Sequence, residues 1–156
     1  MPDSHLPVPS QLARAGMQVS LLRMKVNSNS MLPFLRKDDS ILVTHVKPET
    51  LMIGDIVVIQ RGGLFITHRL VQINGETFYT KGDHSRYCDP PVNAKDIFGI
   101  VVGRIHQDQV SSYQTPRWKR INRVLGKVGY WEADLADYLR NVWLKIKAVA
   151  FKGNKQ

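Results

Sequence analysis

From Gln18 to Val26 the apolar residues Val19, Leu21, Met24 and Val26, with Leu22 off phase, approximate the pattern of a half-buried strand. The polar run Asn27-Ser28-Asn29-Ser30 then interrupts it, so Ser30 stands where a strand gives way to a turn closed by Pro33. Past the charged corner Arg36-Lys37-Asp38-Asp39, residues Ser40 to Val46 are rich in β-branched side chains and predict a second strand. Ile56-Val57-Val58-Ile59 is short and wholly apolar, as a strand buried on both faces should be. Arg61-Gly62-Gly63 predicts a tight turn into a strand from Leu64 to Ile73. Asn74-Gly75 predicts a type I′ hairpin, with both residues at positive φ, joining that strand to Glu76–Lys81. Gly82 to Asp96, with Pro90-Pro91, reads as a long loop of the kind that carries function, and Ile97 to Ile105 as the closing strand. Short strands with turns about every ten residues predict a mainly β fold, a small sheet or barrel-like domain over residues 18–106.

The flanks follow other patterns. In residues 1–17, Pro7 and Pro9 make the start irregular, and Ser10 is placed to cap a short helix through Ala15 that Gly16 ends. In residues 107–156 the period lengthens after Pro116: Ile121, Val124, Val128, Trp131, Leu135, Tyr138, Val142, Ile146 and Val149 recur at three and four. That spacing predicts a C-terminal amphipathic helical tail, one helix or a pair broken near Gly126 and Gly129.

Composition sharpens this picture in three ways. An apolar fraction of 43% against 22% charged residues in 156 residues suits one folded core rather than a disordered chain. The net charge is +9, but residues 117–156 hold ten Lys and Arg against three Asp and Glu, so the basic character belongs to the tail. The tail's candidate partner is an anionic membrane surface, and packing on the β domain is the competing placement; with no helix-turn-helix ahead of the β domain, nucleic acid is not the expected partner. The single cysteine, Cys88, excludes an internal disulfide and a cysteine metal site, and no cofactor or metal is expected. No window is apolar for long enough to be a signal peptide or spanning helix, which leads to the expectation of a cytoplasmic protein, peripheral at most to a membrane.

Serine becomes a nucleophile when a base takes its proton, and histidine is the side chain best suited to that near neutral pH. His68 lies inside the strand from Leu64, where its ring would be firmly mounted. A carboxylate that fixes the imidazole tautomer completes such a site, and both Asp83 and Asp89 lie in the loop after the hairpin that contains His68.

Five short boxes, in order, carry a resemblance. Ser28-Asn29-Ser30-Met31-Leu32-Pro33 resembles the Ser-x-Ser-Met-x-Pro nucleophile box of type I signal peptidases and the LexA-like self-cleaving repressors, serine peptidases of the S24/S26 type. Gly54-Asp55-Ile56-Val57 resembles their Gly-Asp-hydrophobic box, and His68-Arg69-Leu70-Val71 their His-Arg-Val box. Thr80-Lys81-Gly82-Asp83 with Asp89 resembles the Thr-Lys-Gly-Asp box and its trailing aspartate, and Gly99-Ile100-Val101 the closing strand. Lys37-Asp38-Asp39 stands where members usually have a glycine before the aspartate. The resemblance implies coiled antiparallel β-sheets and endopeptidase chemistry that cuts after small side chains. His68 at the base position places the likeness in the histidine-base branch, archaeal and endoplasmic-reticulum in type, here without that branch's membrane anchor. It further implies Ser30 as nucleophile, His68 as base, Asp89 as orienting acid with Asp83 the second choice, and an oxyanion hole from the Ser28 hydroxyl and the Ser30 N–H.

Three functions stand open at this level. The first is a serine endopeptidase resembling signal peptidase I and acting on a protein or peptide substrate, with signal-peptide processing as its family role. The second is LexA-like self-processing, suggested by Ala13-Arg14-Ala15-Gly16 upstream of Ser30. The third is a non-catalytic β binding module whose basic tail touches membrane or nucleic acid.

Overall fold

A computed structural model describes residues 20–107 and 109–152, with side chains complete through residue 135 of the final helix and at 138, 140 and 141 beyond it. The short helix expected from Ser10 to Ala15 lies outside the described residues. The strands are β1 (Leu21–Lys25), β2 (Ser40–Thr44), β3 (Ile56–Arg61), β4 (Leu64–Asn74), β5 (Thr77–Lys81), β6 (Val92–Asn93), β7 (Ile97–His106) and β8 (Gln109–Ser112), followed by helix α1 (Pro116–Lys152). They form one open antiparallel sheet of eight strands in the order β1-β2-β7-β3-β4-β5-β6, with β8 also on β7. The mainly β architecture with a C-terminal helix is the one the pattern predicts.

β7 is long enough to join two halves of the sheet. It pairs with β2 from Ile100 to Ile105, with β3 from Ile97 to Ile100, and with β8 from Gly103 to His106. Register shifts at Leu42/Val43 and Val58/Ile59 bend it at the crossover, as bulges do. The core consequently lies on both sides of β3. Ile56 and Val58 enter a cluster with Val26, Met31, Leu35, Ile41 and Val101, whereas Val57 and Ile59 enter another with Leu51, Leu70, Phe78 and Val92. Burying β3 on both faces is why it carries no polar alternation.

Three local expectations are corrected. Asn74 pairs with Thr77 as part of the ladder, so the hairpin turn is Gly75-Glu76, and of its two central residues only Gly75, at φ 58°, is positive. That is the Gly-first, type II′ pattern rather than type I′. Residues 109–112, assigned by sequence to the helical tail, form β8 and extend the sheet. The loop Gly82–Asp96 contains β6 and a short 3-10 turn at Ala94–Asp96.

The helix is also unbroken at Gly126 and Gly129. A Cβ on Gly126 would lie 2.7 Å from the Gly54 backbone nitrogen, and one on Gly54, at φ 101°, would lie 2.3 Å from the Asn122 carbonyl oxygen. The two glycines let helix and β domain touch backbone to backbone. A mid-helix glycine costs roughly 1 kcal/mol, and this close packing offsets it.

Candidate active site

Ser30 sits at the head of a loop whose next turn is anchored in the core. Met31 is 1% exposed and Leu35 is fully buried, the Leu35 N–H bonds the Met31 carbonyl at 3.0 Å, and the Leu32 N–H bonds the Asn29 carbonyl at 3.2 Å. Asp39, itself buried, closes the loop by accepting from the Arg36 N–H at 2.9 Å and the His106 ring at 2.7 Å. Asp38 adopts φ 74°, the left-handed region that favours glycine and that Asp tolerates better than most residues. The local geometry thus fits the glycine usual at this point in the resembling family.

His68 is buried in β4, paired with Val57 of β3, and its ring bridges the loops on either side. Nε2 lies 3.0 Å from Ser30 Oγ and Nδ1 lies 2.5 Å from Asp89 Oδ2. An N–H on Nδ1 donating to the carboxylate leaves Nε2 free to accept the serine proton, and the hydrogen bonds assign this tautomer. Thr80, fully buried in β5, donates to the same Asp89 oxygen at 2.7 Å, while the Asp89 N–H bonds the Thr80 carbonyl at 2.8 Å. Two bonds therefore hold Asp89 to the end of β5. On the exposed side, Ser28 Oγ lies 3.0 Å from Ser30 Oγ and accepts from the Ser30 N–H at 3.5 Å, so the Ser28 hydroxyl and this amide lie together beside Ser30 Oγ.

Asp83 is placed elsewhere. Its carboxylate takes both Nε–H and Nη2–H of Arg69 at 2.7 Å each, a two-pronged pair. Arg69, 1% exposed, also donates through Nη1 to the Gly54 carbonyl and to Asn122 Oδ1 of α1, each at 2.9 Å, and its guanidinium lies 5.5 Å from the Phe34 ring centre. Of the two aspartates offered by the sequence, the structure brings Asp89 to the imidazole and gives Asp83 to Arg69. Between them, Gly82 passes so close to the site that a Cβ would meet the Ser30 carbonyl at 2.7 Å and His68 Nε2 at 3.1 Å. The next amide but one, His84 N–H, bonds that same Ser30 carbonyl at 2.8 Å.

Sequence reasoning gave no role to Thr80, Arg69, Gly82 or Asn122. The first three lie within the quoted boxes, and for Arg69 the available signal was a charged residue inside a largely apolar strand. Asn122 carried no signal, because only folding brings α1 to Arg69.

A groove of about 590 Å³ runs past Ser30 and His68, between the β1 end (Met24, Val26) and the start of β4 (Leu64, Phe65, Ile66). β1 is an edge strand, and β4 pairs with β5 only from Arg69 onward, so backbone edges border both sides of the groove among the described residues. Burial raises the Asp55 carboxyl above the ordinary range, against the lowering effects of the Met52 N–H and of Lys119, Arg123 and Arg69. Among the described residues no three His, Cys, Asp or Glu side chains gather as a metal site, and no helix is long and apolar enough to cross a membrane. A comparison with curated proteins gave no match. Residues 2–102 match the family described as Peptidase S24-like, and with the matched region covering most of the sheet and all three residues of the Ser30-His68-Asp89 array, the chain belongs to this family of peptidases.

Proposed function

We propose that this S24-like peptidase is a serine endopeptidase resembling signal peptidase I of the histidine-base type, cleaving a protein or peptide after small residues. The observation that carries the reading is the continuous chain from Ser30 Oγ through the His68 ring to Asp89. His68 Nε2 takes the Ser30 proton as Oγ attacks the scissile carbonyl, and Asp89 stabilises the imidazolium that forms. The Ser28 hydroxyl and the Ser30 N–H receive the oxyanion, and two donors of this kind supply a large part of acyl-transfer catalysis. His68 then returns the proton to the leaving amine, and water activated by the same ring releases the acyl group. The groove supports an extended substrate, since an added strand would find backbone partners on the β1 edge and on Leu64–Thr67 of β4.

The test is mass spectrometry of a peptide library rich in Ala-x-Ala sites, incubated with the wild type and with Ser30→Ala. Cleavage by the wild type alone supports the reading and reads out the residues before the cut. Equal cleavage by both proteins rejects it. Loss of the first fifteen residues from the wild type itself, with the library intact, assigns self-processing at Ala13-Arg14-Ala15-Gly16 instead.

A further inference from the structure

Helix α1 has one face on the β domain, through Asn122, Gly126 and Ala133, and another turned to solvent. On the outer face Val124, Val128, Trp131, Leu135 and Tyr138 are 61, 57, 71, 58 and 64% exposed. They follow one another at alternating steps of four and three residues, which is the seam of a two-helix coil rather than the broader apolar stripe of a helix lying on a domain. A stripe of this length that no described residue covers marks an interaction surface.

The charges along α1 say what fits. Residues 117–127 carry five Lys and Arg and no acid, residues 128–139 carry Glu132, Asp134 and Asp137 and no base, and residues 140–152, past the end of the stripe, carry Arg140, Lys145, Lys147 and Lys152 and no acid. An anionic membrane attracts the first segment and repels the second, and the apolar stripe runs through both. A second α1 lying antiparallel along the stripe puts the 117–127 segment of each copy against the acidic segment of the other. We propose that two copies of this chain pair through α1, antiparallel, along this stripe. In the register that keeps the seam in phase, Val128 packs on Trp131 of the second copy and Val124 on its Leu135. Lys127 then stands beside Asp134 of the second copy, and by symmetry the pair occurs twice; both side chains are exposed in the single chain. Five large apolar side chains from each helix bury roughly 1,000 Å², the size at which specific pairs begin. The groove beside Ser30 has no α1 residue in its lining, so pairing leaves it open.

Sedimentation equilibrium of the full chain tests this. The mass should double with concentration, and Lys127→Glu or Asp134→Lys alone should each raise the dissociation constant at least about tenfold by setting like charges together. The combined Lys127→Glu/Asp134→Lys chain should return to within about threefold of the wild type, because the reversal restores the pair only in the antiparallel register. Leu135→Asp should be monomeric with its helical circular dichroism unchanged. A wild type that stays monomeric to about 1 mM overturns the proposal, as does a dimer that the double reversal fails to rescue. A monomer that floats with phosphatidylglycerol vesicles overturns it in favour of a membrane.

Discussion

Gly82→Ala places a methyl group where the loop after β5, Ser30 and His68 converge. Gly82 has no positive φ to preserve, so its Cβ is excluded by space alone: 2.5 Å to Ser85 Oγ, 2.7 Å to the Ser30 carbonyl oxygen and 3.1 Å to His68 Nε2. Ser85 can rotate away, but the Ser30 carbonyl is backbone, held by the His84 N–H at 2.8 Å. Relieving the contact requires the loop and Ser30 to separate by roughly 0.5 Å, and displacements near 1 Å in a reacting geometry cost on the order of 100-fold in rate. The expected result is a fall in kcat/KM of about 10- to 100-fold, equivalent to roughly 1.4–2.8 kcal/mol of barrier. Overpacking costs about 1–3 kcal/mol of stability, partly offset by a stiffer unfolded chain, so the protein stays folded. The assay pairs cleavage of the best peptide from the library with thermal unfolding. Wild-type kcat/KM in Gly82→Ala would refute the reasoning, and so would an activity loss fully explained by unfolding at the assay temperature.

Further outcomes follow from the same contacts. Arg69→Met leaves Asp83 and Asn122 without their buried partner and should cost about 3–5 kcal/mol in urea unfolding; a loss under about 1 kcal/mol would show that the network contributes little. Thr80→Val keeps the shape but removes the donor to Asp89, and should lower kcat/KM about tenfold while costing only about 1 kcal/mol of stability. Gly129→Ala, whose Cβ meets Val71 Cγ1 at an ordinary 3.4 Å, should stabilise by about 0.5–1 kcal/mol, whereas Gly126→Ala should destabilise by forcing α1 off Gly54. Because burial raises the Asp55 carboxyl, the folded state holds that proton more tightly than the unfolded chain does. The carboxyl therefore favours folding below its unfolded value and loses that contribution as pH rises through the folded one. Asp55→Asn, which keeps an acceptor for the Met52 N–H, should be more stable than the wild type near pH 7, with the gap closing toward about pH 4; a gap of constant size would reject the burial argument.

Much of the fold was legible because strands announce themselves locally. The doubly buried run of β3 and the break at Gly62-Gly63 each follow from side-chain pattern and turn chemistry within a few residues. What failed locally were features that depend on a partner far along the chain. β8 is four residues of mixed polarity, QVSS, that become a strand only because β7 offers an edge. Gly126 reads as a helix breaker until Gly54 is seen against it. In the 74–77 hairpin the turn fell one residue later than the strongest dipeptide signal, because cross-strand pairing carried Asn74 into the ladder.

The site divides in the same way. Sequence alone determined the cast: a serine at a strand-to-turn junction, a histidine inside a strand, and two aspartates in one loop. Residue chemistry by itself could not choose between the aspartates, since Asp83 and Asp89 are equally able to fold back along the chain, and only the family resemblance put Asp89 first. Tertiary structure decided by giving each carboxylate its own donors: Arg69 binds Asp83 through two fixed N–H groups, and Thr80 and the His68 ring share Asp89 Oδ2. The approach of Gly82 to Ser30, the groove between β1 and β4, and the docking of Asn122 on Arg69 likewise exist only when residues 38 to 53 positions apart are brought into contact. Periodicity fixes which way a side chain points, but which side chain it meets is set by packing.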